Sequence, residues 1–136
     1  MMKTGFDTDN VLYDVLKISS LKSAIAGNVY KRLRPVNSVL EDVVINSLPI
    51  TNQQLQTCIS NVNIFVPDKQ ITVNGVVTKV PNEERLEELT VMAVQILADG
   101  IKGDFTWDIQ QQAFIQDDES DSHYSNIRIE FFVSNI

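Results

Sequence analysis

The closing stretch of the chain places the tightest limit on its fold. Phe105, Trp107 and Ile109 alternate with Thr106, Asp108 and Gln110, and the apolar period continues at Ala113 and Ile115. After a polar break over residues 117–122, Ile127, Ile129, Phe131 and Val133 alternate with Asn126, Arg128 and Glu130. Period-two alternation puts every apolar side chain on one face of an extended strand. Two such strands joined by a polar loop form an antiparallel hairpin with one dry and one wet face. The dry face has to be covered, and upstream segments with helical spacing offer the cover.

The clearest of these follows Pro81. Asn82 is placed to cap a helix, and Glu83, Glu84, Glu87 and Glu88 suit the positive end of its dipole. Leu86, Leu89, Ala93, Ile96 and Leu97 form its buried stripe. Gly100 is expected as the left-handed stop, with Ile101 folding back onto the last turn and Lys102 beside the C-terminus. An earlier helix is expected with Asp9 as cap and Val11, Leu12, Val15 and Leu16 on one face. Ser19 and Ser20 break that face, and Ser20 restarts a short turn carrying Leu21, Ala24 and Ile25 that Gly27 ends.

Between the helices lie extended segments. Val29 to Arg34 is one, closed by Pro35 because the residue before proline disfavours helix. Asp42 to Leu48 reads as a β-branched strand around Val43, Val44 and Ile45. A longer strand runs from Leu55 to Val66. Its apolar parity changes from Leu55, Thr57 and Ile59 to Val62, Ile64 and Val66, which predicts a β-bulge near Ser60-Asn61. In Ile71–Thr78, Asn74-Gly75 supplies the two positive-φ positions of a type I′ hairpin turn. Two strands this short hardly stand alone in water, so they must lie on the main sheet or reach another molecule. The expected architecture is α+β: a largely antiparallel sheet of roughly four or five strands with helices on one face, plus an added β-hairpin.

Composition agrees with one soluble domain over residues 1–136: 43% of residues are hydrophobic and 21% charged, near globular averages. A chain of this size buries roughly two-thirds of its unfolded surface without disulfides or a structural metal. The one cysteine, Cys58, excludes an internal disulfide framework. No apolar run approaches the roughly 18 residues of a membrane span. Met1 to Asp7 lacks the apolar core of a signal peptide, so an intracellular protein is expected. The net charge of −7 is unevenly spread. Residues 1–81 hold eight Lys/Arg and six Asp/Glu, whereas residues 82–136 hold three and twelve. The excess of acid argues against general nucleic-acid binding, which needs a basic surface. The one basic cluster, Lys31, Arg32 and Arg34, is too short for a nucleic-acid stripe. Such a split suits either an ordinary solvated surface or a subunit whose basic side meets a neighbour's acidic side, a contact that closes rings or grows filaments.

A search for chemistry finds no reaction. Asp117, Glu119 and Asp121 alternate like calcium ligands, but Ser122 and Arg128 stand where the EF-hand pattern needs Gly and Glu. A solvated hairpin tip is expected there, with a weak cation site as the sharper alternative. His123, the one histidine, lacks a demonstrable orienting partner and nucleophile and is expected to open a strand. Cys58 is expected as a small buried hydrophobe, and Trp107 as core rather than a stacking platform. Gly75, Gly100 and Gly103 build no phosphate loop. No catalytic residue, cofactor site or metal site is assigned, and an enzyme is not expected.

The order of elements resembles the small tail-terminator (tail-completion) and head–tail connector proteins of tailed bacteriophages and prophages. The resemblance rests on the helix Leu12 to Leu16, the step Gly27-Asn28-Val29-Tyr30, and the strand pair ending Asn63-Ile64-Phe65-Val66-Pro67. It continues through the helix from Glu83 to Asp99 and the closing hairpin whose acidic tip precedes His123. It spans nearly the whole chain; the Ile71–Thr78 hairpin is an addition to the pattern. It implies a virion component assembled in the bacterial cytoplasm. This subunit would form a hexameric ring with itself, cap the tail tube protein and present a surface to the head connector protein, with no membrane partner. DNA would pass without specific binding, and the resemblance also allows a subunit that stays monomeric until a tail end templates it. Lys31, Arg32, Arg34, Ile71, Val73, Val76 and Val77 are the expected interface residues. Asp117, Asp118, Glu119 and Asp121 are expected to line or rim the channel. The alternative function is a small intracellular adaptor whose acidic face docks a cellular protein.

Overall fold

A computed structural model describes residues 1–134. In chain order the elements are α1 (Gly5–Lys17), α2 (Ser20–Ala24), β1 (Val29–Lys31), β2 (Asp42–Ser47), β3 (Leu55–Pro67), β4 (Lys69–Val73), β5 (Val76–Val80), α3 (Glu83–Leu97), β6 (Gly100–Lys102), β7 (Phe105–Asp117) and β8 (Ser122–Ser134). Six strands make the main sheet in the order β1-β2-β3-β8-β7-β6, and β4 and β5 form a separate two-stranded sheet. Among the described residues, only β1 and β2 run parallel; every other pairing is antiparallel. The fold is α+β. It has one more main-sheet strand than expected, because Gly100–Lys102 pairs with Phe105–Trp107 as a short edge.

The helices cover one face. α1 lies over β1, β2 and β3, α3 lies over β3, β8 and β7, and α2 bridges the two helices. Leu12, Leu16, Leu21, Leu86, Leu89 and Leu97 meet Val43, Ile45, Val62, Ile64, Ile127, Ile129 and Phe131 in a single core. Trp107 belongs to it, as expected, and stands 5.4 Å from the Phe131 ring. Cys58 is buried.

Several local expectations are corrected. α1 begins earlier than Asp9: Thr4 is the cap, and Thr4 N–H donates to Asp7 Oδ2 at 2.7 Å in a capping box. Asp9 instead lies buried within the helix and accepts from Ser47 Oγ at 2.6 Å and Arg32 Nη1 at 2.6 Å. The strand expected over Val29–Arg34 stops at Lys31, because Arg32 takes a left-handed φ of 71°. The left-handed stop after α3 is Asp99, with φ 50°, and not Gly100. Gly100 is required for another reason: a Cβ there would collide with the Trp107 indole, whose Nε1 donates to Leu97 O at 3.0 Å. Ile101 points to solvent rather than back onto the helix. Lys102 stands 3.7 Å from Asp14 of α1.

The expected bulge is not in β3. β3 pairs without interruption to β2 and β8, so Ser60-Asn61 carries no bulge. Its core-face positions Gln56 and Ser60 are polar but buried, each with a partner. Gln56 Oε1 accepts from Lys3 N–H at 2.7 Å, and its Nε2 donates to Thr51 O at 2.8 Å. Ser60 Oγ bonds Ser47 Oγ at 2.6 Å beside Asp9. Buried polar groups with partners keep the strand regular where apolar counting sees a slip. The real bulge lies in β7 between Ile109 and Gln111.

Candidate interaction surface

Two exposed features gather at the end of the molecule where β3 finishes and α3 begins. The first is the β4–β5 hairpin. Asn74 and Gly75, with φ of 50° and 76°, make the expected tight turn. Directly paired residues share a face. Lys69↔Val80, Ile71↔Thr78 and Val73↔Val76 therefore lie on one side, and Gln70↔Lys79 and Thr72↔Val77 on the other. Of the expected interface residues, Ile71, Val73 and Val76 come together on the first face, while Val77 points the opposite way. All four are exposed, from 38% at Ile71 to 64% at Val77. Among the described residues, neither strand pairs with a third. On the second face, the Lys79 ammonium meets Asp121 of the acidic tip, and Asp68 N–H donates to Asp121 O at 2.9 Å. These contacts moor the base of the hairpin and leave its apolar face free.

The second feature is the distal half of β7. β6 ends opposite Trp107, so among the described residues the outer edge from Asp108 to Asp117 has no strand partner. The bulge at Gln110 turns the strand over. Ile109 pairs with Ile129 before it and Gln112 with Ile127 after it, so Gln112, Phe114 and Gln116 take the core-side positions. Ala113 and Ile115 pair with Asn126 and Tyr124 on the opposite face, against the expectation that they continue the core stripe. α3 does not close over this part of the sheet. Its Glu83, Leu86, Glu87, Thr90 and Val91 face Gln112, Ala113, Phe114 and Ser125 across an open groove of about 490 Å³. Phe114 is 53% exposed there and stacks on His123 with ring centroids 5.1 Å apart.

Arg85 fixes the near wall of this groove. Its Nε and Nη2 donate to the two Glu41 carboxylate oxygens at 2.6 and 2.9 Å, and Nη2 also reaches Ala24 O at 2.6 Å. Hydrogen bonding to Glu41, supplemented by Glu88, pushes the guanidinium further toward its charged form than usual, against the opposing effect of burial. The start of α3 is thereby tied to the end of α2 and the approach to β2.

The expected basic cluster is not a shared patch. Lys31 Nζ donates to Asn10 Oδ1 at 2.8 Å over the Tyr13 ring. Arg32 pairs with Asp9 and lies over Phe6. Arg34 turns elsewhere, donating to Ser38 O at 2.7 Å, standing 3.4 Å from the buried Asp42 and stacking on Phe65. Each cation is engaged within its own chain. The acidic tip divides similarly. Asp121 holds Lys79, and Asp117 accepts from Ser120 Oγ and from Glu119 N–H. Asp118 and Glu119 project their carboxylates into solvent.

His123 has the partner that sequence could not supply. Its Nδ1 lies 2.7 Å from Asp68 Oδ1, both side chains being nearly buried. Oriented this way, the imidazole leaves Nε2 as its free nitrogen. Ser120 and Ser122 bond one another at 2.6 Å, and among the described residues neither donates to His123. The pair therefore locks β8 to the β3–β4 junction and supports Phe114 from below. No group of three or more metal-ligating side chains is assembled among the described residues.

No family model matches the chain, and no curated protein matches it. The groove and the hairpin must be interpreted on their own chemistry. Phe114, Gln112 and the open edge were missed in sequence because the bulge reverses which residues face the core. A run of three glutamines before Ala113-Phe114 is the one local sign that the stripe had ended.

Proposed function

We propose that the protein is a structural ring subunit of a tailed phage or prophage, placed at the head-proximal end of the tail, where it ends tube polymerisation and joins tail to head. The observation that carries this reading is the moored β4–β5 hairpin with its unshared apolar face. A monomer gains nothing from exposing Ile71, Val73 and Val76, whereas a subunit that packs beside copies of itself buries them. The element order supports the tail assignment within that class. The carboxylates of Asp118 and Glu119, free in solvent with Asp117 and Asp121 beside them, support an acidic channel rim that lets DNA pass by like-charge repulsion.

The test is tail-tube capping. Purified protein added to polymerising tube protein from the same genome should stop growth and leave a ring at one tube end under the electron microscope. Tubes that grow on unchanged, with no ring, would sink the tail reading and leave the acidic adaptor in its place. Reversing Asp118 and Glu119, whose carboxylates hold no partner element among the described residues, to lysine should leave capping intact but reduce infectivity at least about tenfold through DNA retention at the rim. Unchanged infectivity would remove the channel role.

A further inference from the structure

The hairpin and the open groove have complementary chemistry. From Lys69 to Val80 the hairpin carries two lysines and no carboxylate, and its apolar face holds Ile71, Val73 and Val76 with Lys69 at the base. The groove presents Phe114 and the exposed Val91 as apolar floor and wall, with Glu83 and Glu87 on its rim. Beside it runs the unpaired outer edge of β7. Natural edge strands are usually guarded by lysine, proline or inward charge. Between Asp108 and Asp117 this edge has none of these, only glutamine, alanine, phenylalanine and isoleucine, and the bulge at Gln110 is its single irregularity. Among the described residues, the hairpin likewise has strand edges with no third strand.

We infer that the β4–β5 hairpin of one copy docks in the α3–β7 groove of the next, adding a strand to the open edge of β7. Main-chain hydrogen bonds along the edge supply the register, and the apolar face of the hairpin covers Phe114 and Val91. The Lys69 ammonium then approaches the carboxylates of Glu83 and Glu87. Because hairpin and groove are different surfaces of one subunit, the contact is heterologous, and repeating it closes a ring or extends a filament. The contact deepens the ring reading and rests on it for its closure. It also explains why the chain maintains a hairpin too short to be stable on its own area.

The test uses two full-length variants that alter only exposed side chains. In V73E/V76E the hairpin face becomes acidic against an acidic groove. In V91E/F114A the groove loses its apolar wall and floor and stays acidic, so that it also repels the acidic hairpin of the first variant. Circular dichroism and melting confirm that each variant is folded. Sedimentation velocity should show wild type self-associating with concentration, and each variant alone weakened by at least about tenfold. An equimolar mixture retains one intact hairpin and one intact groove in each pair. It should therefore stop at a dimer, twice 15.3 kDa. Amide exchange in that dimer should slow at least about tenfold over residues 111–116. A mixture that stays monomeric while wild type assembles would overturn the contact and leave the ring reading standing. A dimer without slowed exchange at those amides would overturn the added strand. Wild type that is monomeric up to about 1 mM would also overturn the contact. If the dimer forms with slowed exchange but tail tubes are not capped, the contact stands and the tail reading falls.

Discussion

The two halves of the β7–β8 ladder are built from the same kind of strand and end in opposite conditions. Before the bulge, Phe105, Trp107 and Ile109 face the core, and Phe131 of β8 lies between the Phe105 and Trp107 rings at 6.0 and 5.4 Å. The C-terminal turn of α3 closes over them, with Leu97 O accepting from the indole. After the bulge, Gln112, Phe114 and Gln116 hold the same side of the sheet, and α3 stands off to leave a groove. A single inserted residue thus carries the strand from a closed core to an open groove without ending it. Where the sheet is closed, buried side chains make stability; where it is open, the same side of the sheet stays exposed.

The comparison is broken most severely at its closed end. Phe131 is fully buried, and Phe131→Ala should cost about 3–5 kcal/mol of unfolding free energy through lost transfer and the cavity left behind. Urea denaturation would measure it as a fall in the midpoint at unchanged slope. A loss below about 1 kcal/mol would mean that the closed end is not the core described here. Inserting one alanine after Gln111 acts on the junction itself. With this second extra residue, the segment now numbered 112–116 shifts by one position along β8, so that Ala113 and Ile115 turn toward α3 and Phe114 turns away from His123. The expected cost is smaller, about 1–3 kcal/mol, but the groove is dismantled. Self-association seen by sedimentation should disappear while the helical signal stays. An insertion variant that assembles like wild type would show that the groove plays no part.

Strong periodicity made much of this fold legible in sequence. The α3 cap at Asn82, the I′ turn at Asn74-Gly75 and the alternation in β8 all depend on local chemistry, and each is found as expected. What escaped depended on partners distant in the chain. Ser60 and Gln56 occupy core positions because Ser47, Lys3 and Thr51 satisfy them, and apolar counting cannot register a satisfied polar residue. Arg32 and Arg34 look like a surface patch until Asp9 and Asp42, remote in sequence, are seen to claim them. The groove was hidden for the same reason: a bulge is an exchange of faces, and only the pairing of Gln112 with Ile127 reveals it.

The smallest expected effect sharpens the comparison most, because it uses the same residue type at the open end. Phe114 is half exposed, and its main contact is the stacked imidazole of His123, itself held by Asp68. Truncation there removes little buried area and opens no closed cavity, so Phe114→Ala should cost less than about 1 kcal/mol in urea unfolding. Set beside Phe131→Ala, this gives a difference of several-fold between two phenylalanines on neighbouring strands of one sheet. Stability and association should separate at this position, since the ring that contributes little to folding forms the floor of the proposed docking groove. A melting temperature close to wild type with self-association weakened at least about tenfold is the expected pair of results. If Phe114→Ala instead unfolds as readily as Phe131→Ala, the distal strand is core after all, and the groove is a gap in packing rather than a place for a partner.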